Sequence, residues 1–181
     1  NTRRKIKKGK IKTKNETILS VNSLNKKKKK NIYAKFNYPS GDNAAFDGYA
    51  INSNDSKNLN RNKSKAFKII GSISAGKKPL NKKINKFEAV EIMTGGIIPK
   101  GFDTIIPIEQ IIFYPDKKNQ KFIVINKKID KYNHVRFAGS DFKKKELVIK
   151  KNTLILPNHI LALKTLGIKN ISVKKKINIL F

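Results

Sequence analysis

The segment Asp42-Asn43-Ala44-Ala45-Phe46-Asp47-Gly48-Tyr49-Ala50-Ile51 sets two carboxylates among small residues, in a chain otherwise rich in lysine, asparagine and isoleucine. Two other turns of small residues carry polar groups, Thr94-Gly95-Gly96 and Gly139-Ser140-Asp141. Glycine lets a backbone turn sharply and approach a ligand closely. A Thr-Gly-Gly turn can offer a hydroxyl and backbone N–H groups to an oxyanion. Carboxylates beside it could hold Mg²⁺, a hard cation that takes oxygen ligands and bridges phosphates. The chemistry suggested is that of a divalent ion next to an anionic ligand. Ordinary turns use the same residues, so spacing alone leaves a purely structural reading open.

Each of these turns adjoins a segment that reads as a strand. Pro39-Ser40-Gly41-Asp42 is a turn signal, and the acidic patch leads into Tyr49-Ala50-Ile51. Glu88 to Met93 leads into Thr94, and Val135 leads toward Gly139. Further strands are expected at Glu16 to Val21, at Ala66 to Ile70 ending at Gly71, within Thr104 to Tyr114, at Lys121 to Ile129 and at Glu146 to Lys150. Asn52 to Lys65 is polar without an apolar period and reads as a surface loop. Leu24 to Ala34, with the run Lys26 to Lys30, reads as a solvated helix. Near the end, Asn158 is a candidate N-cap, and Ile160, Leu161, Leu163 and Leu166 share a helical face. Gly167 stands where a left-handed residue closes a helix, and Ile168 to Val173 follows as a strand. The pattern is α+β: a strand-rich middle with helices on its flanks.

The chain has 181 residues and a net charge of +30, with Arg3, Arg4, Arg61 and Arg136 as its arginines among 42 basic residues. Such charge fits a polyanion partner. It also fits a coding bias that coats a solvated surface with lysine. Scarce arginine, the residue suited to bidentate phosphate reading, favours the second account. Nucleic acid is therefore expected to bind only non-specifically. There is no cysteine, which excludes disulfides and thiolate metal sites. No apolar run approaches the ~18 residues of a membrane span, and no signal peptide is evident, so a cytoplasmic location and no membrane partner are expected. His134 and His159 are isolated and read as ordinary surface residues. A first residue Asn1 and a last residue Phe181 inside an apolar run suggest a piece of a longer protein.

The stretch from Asp42 to Ala50 resembles the D-N-S-A-M-D-G-Y-A signature of the molybdopterin molybdenumtransferases, the MoeA family, related to the E domains of gephyrin and its plant counterpart. Ser74-Ala75-Gly76 resembles the family's A-G turn. Ile92 to Gly96, with Pro99, Gly101 and Asp103, resembles I-x-T-G-A-x-x-P-x-G-A-D, and Glu109 falls on the acid that follows. Val135-Arg136 and Gly139-Ser140-Asp141 resemble N-V-R-x-x-G-E-D. This chain departs from the pattern at Ala44, Phe46, His134 and Ser140, where serine, methionine, asparagine and glutamate are usual.

The resemblance implies a small helical and β domain over 16–36 and 146–175, carrying an inserted β domain over 37–145. A disordered basic arm is expected over 1–15. Residues 176–181 would begin the family's molybdopterin-binding α/β domain, which is otherwise missing. The implied reaction hydrolyses adenylated molybdopterin with release of AMP and inserts molybdate, with Mg²⁺ as cofactor. Asp47, Thr94 and Asp141 are then the expected catalytic residues. Gly95, Gly96 and Arg136 would bind substrate, and Asp42, Gly48 and Gly139 would shape the loops. Asp47 is the candidate for the metal, and Asp42 is expected to brace its own loop. The full-length family members are expected to be homodimers whose site is completed by the dimer mate, so this chain alone is expected to be inactive. A non-catalytic scaffold module of the same fold and a lysine-rich nucleic-acid binder are the alternatives.

Overall fold

Short apolar runs bounded by glycine, proline and asparagine form strands here far more often than helices. The computed structural model describes residues 15–174. The arm expected over residues 1–15, save Asn15, and the segment 176–181 lie outside it. The strands are β1 (Asn15–Leu19), β2 (Ile32–Tyr33), β3 (Asn43–Ala44), β4 (Gly48–Ile51), β5 (Lys65–Ile73), β6 (Glu88–Ile92), β7 (Thr104–Pro107), β8 (Ile112–Tyr114), β9 (Phe122–Ile125), β10 (Val135–Arg136), β11 (Leu147–Ile149) and β12 (Asn170–Lys174). One α-helix, α1 (Pro157–Thr165), is found among the described residues. The chain divides into two compact units, residues 37–143 and residues 1–36 with 144–181.

The unit 37–143 is built on a six-stranded sheet in the order β7-β4-β6-β5-β9-β8. Its neighbours are antiparallel except β5 and β6, whose parallel pairing requires the crossover through residues 74–87. β4 lies between β7 and β6 and is fully buried, and its alternation divides the core between the two faces of the sheet. Tyr49 and Ile51 pack with Phe67, Ile106 and Ile123 in one cluster. Ala50 packs with Ile73, Val90, Ile92 and Ile105 in the other. Each large apolar side chain so buried contributes roughly 1.5–3 kcal/mol.

Two expectations for this unit are corrected. β5 runs through Gly71 to Ile73, and the register against β6 shifts between Ile69 and Ser72. The glycine thus accompanies an irregularity inside a strand. The polar stretch 52–65 contains a 3₁₀ turn at Ser53–Ser56 in which Ser53, Ser56 and the following Leu59 are buried. The Ser56 hydroxyl donates to Ser53 O at 2.8 Å and accepts from the Ile129 N–H at 2.9 Å. These serines supply hydrogen bonds to an interior turn.

In the unit 1–36 with 144–181, β1 pairs with β12 and β2 with β11, both antiparallel. The helix expected across Leu24 to Ala34 is not formed. Instead Lys27 and Lys28 bridge two backbone neighbours, and the chain bends at Lys29 and Lys30. The Lys28 N–H donates to Thr153 O at 2.9 Å, and the Ile155 N–H to Lys26 O at 3.0 Å. On the other side, the Lys29 N–H donates to Ser172 O at 3.1 Å, and the Lys174 N–H to Lys27 O at 2.9 Å. Adjacent ammonium groups disfavour a helix, and pairing with two segments distant in sequence satisfies the backbone instead.

Helix α1 packs Leu163 against Ile149, Ile155, Ile171 and Val173. Its N-cap position is Leu156, with Pro157 in the first turn, not Asn158. Leucine has no side-chain acceptor, and the His159 Nδ1 accepts from the Leu156 N–H at 3.0 Å. His159 therefore caps the helix. Gly167 closes it at φ +64°.

Candidate active site

Segment 42–47 enters and leaves sharply, and the conformation of its neighbours is set by that path. β3 pairs with β10 on one side, Val135 opposite Ala44 and Arg136 opposite Asn43. On the other side the Ala44 N–H donates to Gly96 O at 3.0 Å, and Ala44 O accepts from the Gly95 N–H at 2.8 Å. The Thr94 and Val135 turns therefore flank the Asp42–Asp47 loop. Gly48 is required at its end, because a Cβ there would lie 2.0 Å from Ile106 O. Gly95 at φ +80° makes the Thr94 turn possible.

Asp47 and Thr94 meet directly. Asp47 Oδ1 accepts from the Thr94 N–H at 2.6 Å and from the Thr94 Oγ1 hydroxyl at 2.7 Å. The hydroxyl bond first, and the backbone bond second, hold the Asp47 carboxyl below the ordinary aspartate range, because both favour the ionised form. Both side chains are exposed. The described bonds of Asp47 fall on Oδ1, and none among the described residues falls on Oδ2.

Asp141 does not join this pair by any direct bond among the described residues. Arg136 Nη2 donates to both of its oxygens, at 2.6 Å to Oδ1. The expected substrate contact Arg136 and the expected catalytic carboxylate Asp141 are thus partners of each other, half-exposed on the β10 side. Gly139, at φ +75°, forms the turn between them. Asp42 Oδ1 accepts from the Ala138 N–H at 2.8 Å. It ties its loop to the Gly139 turn; the expected brace of its own loop is not among the described bonds.

The Thr94-Gly95-Gly96 turn is also not the open donor set suggested by its composition. The Thr94 N–H goes to Asp47, the Gly95 N–H to Ala44 O, and the Gly96 N–H to Met93 O at 2.8 Å. These donors knit the loops together. A Cβ at Gly96 would lie 2.8 Å from Ile92 Cγ1, so this glycine serves close packing.

Among the described residues, no three His, Cys, Asp or Glu side chains gather as a ready metal cage. Magnesium needs no such cage, since it commonly keeps waters and binds one or two carboxylates with substrate phosphates. Asp47, exposed and with its ionised form favoured, fits that limited role.

Sequence reasoning missed a neighbouring cleft of about 430 Å³ lined by Asp42, Asn52, Lys100, Asp103, Lys131 and Tyr132. Asp103 is fixed there by the Ser53 N–H at 2.7 Å and the Ser53 hydroxyl at 3.0 Å. Tyr132 and His134 adopt left-handed φ of +65° and +54°, rare for non-glycine residues. His134 sets its ring edge-on to Phe46, with centroids 5.0 Å apart. The signal available was the polar cluster Asp130 to His134, which tolerates such turns. No described helix is long and apolar enough to cross a membrane.

Comparison with known proteins gives a consistent answer. Residues 2–167 match the sequence model of the MoeA N-terminal region (domain I and II). The molybdopterin molybdenumtransferase of Staphylococcus aureus (strain Mu50) is 33% identical over 160 residues, covering 88% of this chain and 37% of that protein. That of Bacillus subtilis (strain 168) is 27% identical over 161 residues, covering 89% and 37%. The crystal structure of the molybdopterin biosynthesis moeA protein from Pyrococcus horikoshii OT3 superposes with a TM-score of 0.80 at 28% identity, covering 89% of this chain and 41% of that one. The chain thus spans under half the length of these relatives. With the strand-rich fold and the joined motifs at Asp47 and Thr94, the chain belongs to the MoeA family, in its N-terminal region.

Proposed function

We propose that this chain contributes one wall of a molybdopterin molybdenumtransferase site in molybdenum cofactor biosynthesis. The substrates are adenylated molybdopterin and molybdate, and the products include AMP. The observation that carries this reading is the Asp47 carboxylate held by both donors of Thr94. Two motifs far apart in sequence thereby present one oriented, ionised group at an exposed surface.

Asp47 stays charged through the neutral range, because Thr94 favours its ionised form. Bound magnesium would neutralise charge on the phosphate oxygens of the adenylate. Asp47 Oδ2 is the group that would hold it. The Thr94 donors occupy Oδ1 and so leave Oδ2 for that role. Arg136, neutralised in part by Asp141, offers a planar cation to an anionic ligand once that pair loosens. The remaining surface of the site, including the molybdopterin pocket, is assigned to the dimer mate of a full-length homodimer.

The test uses the full-length protein that contains this sequence. AMP release from adenylated molybdopterin, with Mg²⁺ and molybdate present, is compared between wild type and Asp47→Asn. A loss of at least 100-fold, about 2.7 kcal/mol of transition-state stabilisation, is expected. AMP release by Asp47→Asn within a few-fold of wild type would exclude Asp47 from the chemistry.

A further inference from the structure

The lysine run forms a feature that the insertase reading does not use. Lys28 is 3% exposed, and its Nζ donates to Ser172 O at 2.8 Å. No carboxylate partner meets it among the described residues. Burial, and after it the charge of Lys30, lowers its pKa. Coding bias can coat a solvated surface with lysine, but it does not account for an ammonium buried against a carbonyl.

Beside this residue lies a pocket of about 480 Å³ lined by Lys29, Lys30, Asn31, Tyr33 and Lys151. No lining residue carries a carboxylate, and the acids of this unit's sequence are Glu16 and Glu146. The uncharged groups are arranged as donors too. Asn31 Oδ1 is occupied by the Lys151 N–H at 2.7 Å, and Asn31 Nδ2 donates to the Tyr33 oxygen at 2.9 Å. Tyr33 thereby spends an acceptor position and keeps its own hydrogen to donate. Three lysines and a tyrosine line this concavity, and no carboxylate lines it among the described residues. Lysine is a point-charge binder of phosphate, and this set suits a multiply charged one.

We propose that this pocket is a binding site for a small phosphate-type anion, of the size and charge of pyrophosphate or the phosphate tail of a nucleotide. It does not depend on the role assigned to Asp47. The backbone of Lys26 to Lys29 bonds to residues 152–155 and 172–174, which fixes the chain where it bends into the pocket at Lys29 and Lys30.

The test measures inorganic pyrophosphate binding to the chain by calorimetry at 0.15 M salt. It compares the triple variant Lys29→Gln, Lys30→Gln, Lys151→Gln with a control of equal charge loss, Lys57→Gln, Lys77→Gln, Lys117→Gln. One saturable site per chain is expected, weakened at least tenfold in the first variant and less than twofold in the control. A second readout needs only wild type: pyrophosphate should shield Lys29, Lys30 and Lys151 from acetylation more than Lys57, Lys77 and Lys117. Equal weakening in both variants, non-saturating binding, uniform shielding, or site-dependent binding of a single-stranded oligonucleotide but not of pyrophosphate would each overturn the proposal.

Discussion

Replacing Gly48 by alanine tests how the site is positioned, because the effect follows from one close approach. The added Cβ would lie 2.0 Å from the Ile106 carbonyl oxygen, 2.9 Å from its carbon and 3.0 Å from Pro107 Cα. Carbon–oxygen contacts sit near 3.3 Å, so β4 and β7 must part by about 1 Å. All of these atoms are backbone, and no side-chain rotation relieves them. The strands are paired over Gly48–Ile51 and Thr104–Pro107, both fully buried. Overpacking of this kind costs about 1–3 kcal/mol, and a buried backbone group left unpaired costs about 1–3 kcal/mol more. A total of about 2–6 kcal/mol is a large part of a domain's usual stability of roughly 5–15 kcal/mol. Urea unfolding followed by circular dichroism should show the midpoint falling by about 1–3 M, given a slope of about 2 kcal/mol/M. Gly76→Ala is the control: its φ is +74° with nothing within 4 Å, so only the left-handed penalty of about 1–2 kcal/mol applies. A Gly48→Ala midpoint equal to or above that of Gly76→Ala would refute the argument.

Ser56→Ala should destabilise the chain by about 1–3 kcal/mol, because it leaves the buried Ile129 N–H without its acceptor; urea unfolding checks this. Tyr49, buried and near Glu91, has its phenol pushed up to about 12, so ultraviolet titration should find a phenol ionising well above the ordinary tyrosine value that Tyr49→Phe removes. The unfolded phenol ionises near about 10 and the folded one later, so this stabilisation is complete below pH 10 and is lost as pH rises through about 12. Tyr49→Phe should remove that part of the alkaline loss. His159→Ala should cost about 1 kcal/mol through the lost cap on α1, read as a fall in melting temperature.

The sequence carried the strand-rich character and much of the local geometry. Gly167 at a helix end, the buried Tyr49-Ala50-Ile51 strand and the tight turn at Gly95 all follow from local rules about φ and periodicity. Features decided by distant partners were not legible. Lys26 to Lys30 looks helical or solvated until residues 152–155 and 172–174 supply its backbone bonds. Ser53 and Ser56 look like loop residues until Asp103 and Ile129 are placed against them. The N–H groups of Thr94 and Gly95 look available until Asp47 and Ala44 fold over them. Composition shows which groups exist, and only long-range pairing shows which remain unspent.

The most direct measurement is an NMR titration of the Asp47 side-chain carboxyl carbon, in the wild-type chain and in Thr94→Ala. Bonding from Thr94 lowers the folded pKa, so its stabilising contribution is present above the ordinary aspartate value and disappears as pH falls through the lowered midpoint. A wild-type midpoint below the ordinary aspartate range, returning toward it in Thr94→Ala, is predicted. An ordinary midpoint that Thr94→Ala leaves unmoved would show that the two motifs do not meet, and the assignment of Asp47 as the oriented acid of this site would fall.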